Sequence, residues 1–503
     1  MSTDHSFVRP TYAPAQKNMA RADFLTRYPT FSQTKILDDL RTTDYGRLDQ
    51  TDQVYLDYTG GGLYADSQIT AHMDLLRTGV FGNPHSHNPT STAMTELVES
   101  ARAAVLTYFN ADPAEYTAIF TANASAALKL VGEAYPFTPG GHYALCADDH
   151  NSVNGIREFA KAKGARVSYL PVAGAELRLD EEALSAVLFE ENSGPARLLA
   201  FPAQSNFSGV KHPLGLIDRA HAQGWDVLLD AAAFAPTNRL DLSAHRPDFV
   251  CLSFYKMFGY PTGVGALIAR RSALARLRRP WFAGGTITIA SVGGDGHFLM
   301  DGEAGFEDGT VNYLSLPAVE IGLRHLAKVG IDTVTTRVAA LTGWLLDELA
   351  ALRHSNGQPL VKIHGPQTLV DRGGTIALNM LDPEGGAISS GQVEHLAAKA
   401  HISLRTGCFC NPGCGETTYA IPGHLMRSFF VGDEGLYFNQ LVEIMQDRYN
   451  ISVSAIRVSV GLATNFTDVY RLLAFFACFR DRSCADIGEI DPLPQVGYER
   501  DAA

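Results

Sequence analysis

Between positions 54 and 271 short apolar runs recur, and stretches patterned as helices separate them. The runs lie at 118–121, 143–146, 166–170, 197–201, 227–230, 249–253 and 265–269. Strands that are apolar along their whole length are buried on both faces, and strands separated by helices pair in parallel. The expectation is an α/β fold built on a mainly parallel seven-stranded sheet with helices on both sides.

Beyond a loop at 306–313 the pattern changes. Val334, Val338, Leu341, Leu345, Leu349 and Leu352 are spaced by three or four, as one face of a long helix requires. Runs at 360–363, 374–379, 402–405 and 456–460, then a helical pattern near 467–479, predict a smaller C-terminal α/β domain. The expected division is an amino-terminal arm or edge segment over residues 1–50, a large domain over 51–315 and a small domain over 316–503. The arm reads as polar and irregular, with one helix near 34–41. A cleft between the two domains is the expected place for a site.

With 503 residues, 46% of them hydrophobic and 19% charged, the chain has material for a large core. Its net charge of -13 gives no general attraction to nucleic acid or to an anionic membrane, so the expected partner is a small molecule. The first 17 positions lack the basic and apolar segments of a secretory leader, and no run approaches the roughly 18 apolar residues of a membrane span. A cytoplasmic location follows as an expectation. Of the seven cysteines only Cys408, Cys410 and Cys414 cluster, which argues for reduced thiols and against a disulfide framework.

The run at 227–230 ends in Asp230, and the run at 249–253 leads into Phe254-Tyr255-Lys256-Met257-Phe258-Gly259. In open parallel sheets ligands sit at the carboxyl ends of strands. A lysine among apolar residues can have its amine pKa lowered by desolvation, which favours imine chemistry. Alone, the aspartate reads as a turn or helix cap and the lysine as a solvated charge. On successive strands they meet two needs of pyridoxal 5'-phosphate (PLP), a lysine for covalent attachment and a carboxylate to keep the ring nitrogen protonated. Its third need is a set of donors for the phosphate. Asn123-Ala124-Ser125 opens a helix after Thr121 and offers free N–H groups and a hydroxyl, although Asn and Ser are also ordinary helix caps.

With these residues the chain resembles the class V, fold type I PLP enzymes, and within them the cysteine desulfurases, in particular the N-terminal desulfurase domain of molybdenum cofactor sulfurases. The resemblance is carried by Tyr55-Leu56-Asp57-Tyr58, Phe81-Gly82-Asn83-Pro84-His85-Ser86, Phe120-Thr121-Ala122-Asn123-Ala124-Ser125, Ser205-Asn206-Phe207-Ser208-Gly209, Asp230-Ala231-Ala232-Ala233, Ser253-Phe254-Tyr255-Lys256, Phe306-Glu307-Asp308-Gly309-Thr310 and Arg405-Thr406-Gly407-Cys408-Phe409-Cys410. It implies that His150 stacks on the cofactor ring, where the plain alternative is a helix cap or a core histidine. It also implies that Asn206 bonds the ring hydroxyl, and that Ala124, Ser125, Ser253 and Tyr255 surround the phosphate. Thr310 matches a residue supplied by a partner subunit, which implies a homodimer with a shared site. Arg457 matches the arginine that grips the substrate carboxylate, with Arg405 beside it. Ala233 departs from the pattern, since many desulfurases carry a glutamine there.

Cys410 matches the acceptor cysteine, whose thiolate attacks the sulfur of L-cysteine and leaves an enzyme persulfide and L-alanine. Arg405 or a nest of backbone N–H groups is expected to favour that thiolate. Cys408 is the reserve candidate, and Cys414 is a candidate to resolve or receive sulfur. Zinc binding by the three thiols is the rival reading. It lacks the paired Cys-x2-Cys spacing and a clear fourth ligand, so no metal is expected. Full-length molybdenum cofactor sulfurases continue into a further domain for which this chain has no room, so the expected sulfur acceptor is a separate protein or a small molecule. The alternative within the same resemblance is a PLP lyase or aminotransferase acting on another amino acid or on a sulfur-containing intermediate.

Overall fold

The seven predicted runs form one sheet of strands β1 (Tyr116–Thr121), β2 (His142–Cys146), β3 (Arg166–Leu170), β4 (Arg197–Pro202), β5 (Asp226–Asp230), β6 (Phe249–Ser253) and β7 (Gly265–Arg270). The computed structural model describes residues 16–84, 86–190, 194–431, 435–449 and 451–487. Most of the segment read as leader-free lies outside them, as do His85 and residues 488–503 of the expected small domain.

The strand order is β1-β7-β6-β5-β4-β2-β3. β7 is antiparallel to both its neighbours, and every other pairing is parallel. Burial of both faces explains the unbroken apolar runs. On β4, Leu199 and Phe201 enter one apolar cluster while Leu198 and Ala200 enter a second, and β5 divides Val227 and Leu229 from Leu228 in the same way. Each such leucine contributes about 2 kcal/mol of burial, so polar side chains are pushed to the strand ends.

A second sheet is antiparallel throughout, with strands β8 (Val361–His364), β9 (Thr375–Met380), β10 (Arg405–Gly407) and β11 (Ala455–Ser459) in the order β8-β9-β11-β10. The strand expected at 402–405 is divided. Ile402–Ser403 pairs in parallel with Val54–Tyr55, and Arg405 begins β10. Apolar patterning over 402–405 carries no sign that its two halves have different partners. Asp57 continues the association through a parallel bridge to Ser459, so the chain at 54–57 is knit to the C-terminal strands.

The amino-terminal segment is more ordered than its composition suggests. Helices Lys17–Arg27, Lys35–Thr43 and Arg47–Gln50 and a 3-10 turn at Pro29–Thr34 replace the largely irregular arm expected. Its few apolar residues are used fully: the Phe24 ring lies 5.8 Å from Trp344 and 5.0 Å from Phe466. Tertiary burial against the long helix Ile331–Ala351 and the helix Phe466–Ala477 supplies what local propensity lacks. A hairpin of Ile287–Ser291 and Gly296–Leu299 was not foreseen, and it leaves Ile289, Val292 and Phe298 exposed. Among the described residues no helix is long and apolar enough to cross a membrane.

Arg337 fastens the segment to the long helix. Its buried guanidinium donates to Thr34 Oγ1 at 2.7 Å, to Thr34 O at 2.8 Å and to Asp38 Oδ1 at 2.8 Å, and it lies 4.2 Å from the Phe31 ring centroid. Arg337→Ala is expected to cost on the order of 3 kcal/mol, because it leaves buried acceptors unpaired. Urea unfolding checks this, and a loss under about 1 kcal/mol would contradict the assignment.

Candidate active site

The site is built where β5 and β6 end. β6 passes into one helical turn, Phe254–Phe258, which carries Lys256 and stops at Gly259 with a left-handed φ of 78°. A side chain at 259 would run into the backbone of Leu63 and Tyr64. Lys256 is half-buried. Burial pushes its amine pKa down, Arg457 and Arg405 add to that, and Asp230 and Asp57 oppose it. Asp230 is buried, and its Oδ1 accepts from Ala232 N at 2.9 Å, which fixes the carboxylate at the strand end.

The helix Ala124–Ala134 brings its amino terminus to the same place. Asn123 caps it by accepting from Ala126 N at 2.9 Å, and Ala124 N donates to Ser253 Oγ at 2.9 Å. Ser125 Oγ lies 2.6 Å from Ser152 Oγ. Ala124, Ser125, His150, Asn206, Asp230, Ser253, Tyr255 and Lys256 line one cleft, together with Asn123 and Gln204. An amine, a buried carboxylate and a helix amino terminus with hydroxyls around it form a donor set suited to an aldehyde, a protonated ring nitrogen and a phosphate. Thr310 does not line this cleft. It is exposed, accepts from Asn83 Nδ2 at 3.3 Å and borders a separate cavity with Thr121, Ala122 and Gly263.

His150 acts as a helix cap. Its Nδ1 accepts from Ser152 N at 3.1 Å, so the neutral ring carries its proton on Nε2. Burial, Lys256 and Arg457 hold its pKa below the ordinary range, against the pull of Asp230. Beside it Asp149 is fully buried, with neither carboxylate oxygen hydrogen-bonded. Burial, Asp148 and Asp230 push that carboxyl well above the usual range.

The three clustered cysteines meet different fates. Phe409 and Cys410 are both left-handed, with φ of 56° and 54°, a conformation that costs side-chain-bearing residues about 1 kcal/mol or more each. Four hydrogen bonds hold the loop in it. Asn151 N donates to Cys410 O at 2.7 Å, Asn206 Nδ2 to Phe409 O at 2.7 Å, and Asn411 Nδ2 to Asp148 O at 2.6 Å and to Asn206 Oδ1 at 2.9 Å. The loop is thereby fastened to the segments that carry His150 and Asn206. Cys410 is exposed, Cys408 is half-buried and Cys414 is fully buried beside Phe207 and Phe409. Burial raises the pKa of the Cys408 thiol and, far more, that of Cys414. The backbone N–H of Cys410 opposes the effect of burial on the Cys408 thiol.

Arg405 is turned to Asp57. Its Nε and Nη2 donate to Asp57 Oδ2 at 2.9 and 2.6 Å, while Arg457 Nη2 donates to Asp57 Oδ1 at 2.9 Å. Arg457 is buried, donates from Nη1 to Asn206 O at 3.1 Å and lies 4.8 Å from the Phe409 ring centroid. Sequence reasoning missed Asp57 and Asn411. The available signal was a carboxylate set between Leu56 and Tyr58 in an otherwise apolar segment. Among the described residues one group of three metal-ligand side chains gathers, Cys146, Asp148 and His212, and it includes none of the clustered thiols. His212 Nε2 and Asp148 Oδ2 are 2.9 Å apart. Native-state alkylation with iodoacetamide, read by peptide mass spectrometry, should label Cys410 in the folded protein and Cys414 only after denaturation. Early labelling of Cys414 would contradict the burial.

The model of the aminotransferase class-V family matches residues 54–472. Molybdenum cofactor sulfurase of Solanum lycopersicum is 34% identical over 496 residues, covering 92% of this chain and 59% of the relative. That of Homo sapiens is 35% identical over 481 residues, covering 92% of this chain and 53% of the relative. The chain thus spans a little over half the length of these relatives. A solved cysteine desulfurase from Thermococcus onnurineus NA1 superposes with a TM-score of 0.70 at 22% identity, over 88% of this chain and 97% of that one, and so shares the fold. On the match to the greater part of its length, the chain belongs to the aminotransferase class-V family.

Proposed function

We propose that this chain is a cysteine desulfurase, converting L-cysteine to L-alanine and passing the sulfur through a persulfide on Cys410 to an acceptor. The observation that carries the reading is the Cys410 loop, an exposed thiol hydrogen-bonded at its base to the rim of the Lys256 cleft. A lyase or aminotransferase acting on another amino acid would use Asp230, Asn206 and Lys256 equally and has no need of that thiol.

When bound, pyridoxal 5'-phosphate draws electrons from the substrate's Cα and so loosens its Cβ–S bond. Lys256 would hold the cofactor through its Nζ at rest and, once the substrate's amine has displaced it, the freed Nζ would take the proton from Cα, a task helped by an amine held below its ordinary pKa. Asp230 would keep the ring nitrogen protonated, and the His150 ring, which caps the turn behind it, would cover the cofactor. Ala124, Ser125, Ser253 and Tyr255 would hold the phosphate, and Asn206 would be the partner of the ring hydroxyl. Arg457 takes the substrate carboxylate, with Arg405 next to it. The Cys410 thiolate attacks the substrate sulfur. A S–S bond forms, the Cβ–S bond breaks, and its electron pair stays on carbon, which takes up a proton to give alanine.

A homodimer completes the site, with Thr310 reaching the phosphate of the partner subunit. This part rests on the exposure of Thr310 and on the exposed Trp281, Phe282, Ile289, Val292 and Phe298 on and near the hairpin, an apolar group suited to a second copy. Seven free cysteines suit a reducing compartment, the cytoplasm. The acceptor is a protein or a small molecule.

Cys410→Ala should lose persulfide and sulfide formation by about 100-fold or more while keeping the cofactor's visible absorbance. Full activity in this variant would overturn the assignment of the thiol, and keto-acid production from L-cysteine would favour amino transfer. Borohydride treatment of the holoenzyme should leave the cofactor fixed to the peptide containing Lys256, and Lys256→Ala should abolish that label. A label on any other peptide contradicts the assignment of Lys256.

A further inference from the structure

Beside the turn that carries His150 lies a second gathering of reactive side chains, which the scheme above does not use. Cys146 ends β2, Asp148 follows it in the turn, and His212 comes from the chain after β4. All three are buried, and one ligand atom of each, a sulfur, a carboxylate oxygen and a ring nitrogen, lies within 4.8 Å of the other two. His212 Nε2 and Asp148 Oδ2 are 2.9 Å apart. Two ligands of one tetrahedral zinc ion stand about 3.3 Å from each other, so this pair is already near the spacing that a shared ion needs. The second observation is an orphaned oxygen. Asp148 Oδ1 is buried without a hydrogen bond, since the contact to His212 engages only Oδ2. A carboxylate oxygen in such a place ordinarily has a donor or a cation beside it.

Cys414 brings a fourth group to the same place. Gly413 packs on Ala147 so closely that a side chain there would strike the Ala147 carbonyl, which sets Cys414 against the segment of Cys146 and Asp148. The Cys414 thiol is fully buried and lies 3.9 Å from Ser205 Oγ. After burial itself, the Asp148 carboxylate raises the pKa of both thiols, and Cys414 adds to that of Cys146, so these three groups stand within reach of one another's charge.

We propose that Cys146, Asp148 and His212, with Cys414 as the fourth ligand, form a structural zinc site. Two thiolates, an imidazole and a carboxylate suit a borderline-soft ion, whereas calcium and magnesium take oxygen ligands. Four protein ligands leave no position for water or substrate, as in a closed structural site, and such a site takes its ion while the chain folds. Loading releases the proton of each thiol and leaves His212 Nε2 without one. The ion ties β2, the chain after β4 and the Cys410 loop into one unit, an arrangement to which Asn411 already contributes by donating to Asp148 O at 2.6 Å.

The test uses the full chain with its cofactor, produced under reducing conditions in medium supplemented with zinc chloride, then desalted and assayed for metal by plasma mass spectrometry. About one zinc ion per chain should remain. Production with cobalt(II) in place of zinc should give, in difference against the metal-free holoenzyme, a thiolate-to-metal charge-transfer band and the intense visible bands of a tetrahedral ion. Both signals should fall by about tenfold or more in Cys146→Ser and in His212→Phe. They should survive in the double variant Cys408→Ser with Cys410→Ser, which removes the loop thiols. Less than about a tenth of an ion per chain overturns the proposal. So do cobalt bands without thiolate charge transfer, or metal that is lost with Cys408 and Cys410. Unchanged binding in Cys414→Ser overturns the fourth ligand. Should Cys146→Ser and His212→Phe not fold, the cobalt spectra of the parent and of the double loop variant decide, and their difference from each other in the thiolate band overturns the site. None of these outcomes bears on the desulfurase reading, which persulfide formation tests separately.

Discussion

Burial of the large sheet on both faces is the constraint from which the rest of this molecule follows. A strand with apolar neighbours above and below has no place for an ionised side chain except at its ends. Parallel strands bring several such ends to one edge, here those of β5 and β6 with Asp230 and Ser253. Lys256 follows one turn later, and the segments after β2 and β4 bring His150 and Asn206 beside it. The cleft is therefore a product of the packing that stabilises the domain. Its electrostatics have the same origin, because burial in the first instance lowers the Lys256 and His150 pKa values and raises that of Asp149.

Two short polar side chains tie this edge to the C-terminal sheet. Asn411 spans from the Asp148 carbonyl to the Asn206 side chain and accepts from Cys414 N at 3.2 Å, so one amide sets both the reactive loop and the buried thiol behind it. Asp57 does the equivalent for the two arginines. Neither connector is large, and each works by satisfying groups that would otherwise be buried without partners.

The large sheet was legible because its signal is local. All seven strands were foreseen within two residues at each end, since an apolar run records burial wherever it occurs. The eight residues expected near the cofactor within one chain share one cleft for a related reason: each follows directly on such a run or opens a helix after it. What escaped was non-local. Asp57 and Arg457 are 400 positions apart, and a carboxylate in a mostly apolar segment does not disclose which cation it will meet. The division at 402–405 has the same cause, a partner strand near the other end of the chain. The helices of the amino-terminal segment were underread because Phe24, Phe31 and Leu37 derive their stability from residues beyond 330. The burial of Cys414 lay beyond spacing arguments, because Cys408, Cys410 and Cys414 look alike in sequence and differ only in what packs on them.

The pairing of Val54–Tyr55 with Ile402–Ser403, followed by the bridge from Asp57 to Ser459, also orders events in time. During synthesis the large sheet has all its strands once residue 270 has emerged, and it can acquire its fold while the remainder is still being made. The aspartate that will hold the arginines must wait for Arg405, and then for Arg457, to leave the ribosome. A nascent chain thus completes the sheet that carries Lys256 well before Asp57 can meet either arginine, and the thiol-bearing loop arrives only in that later stage. The proposed sulfur chemistry is in this way withheld until residue 457 has been made.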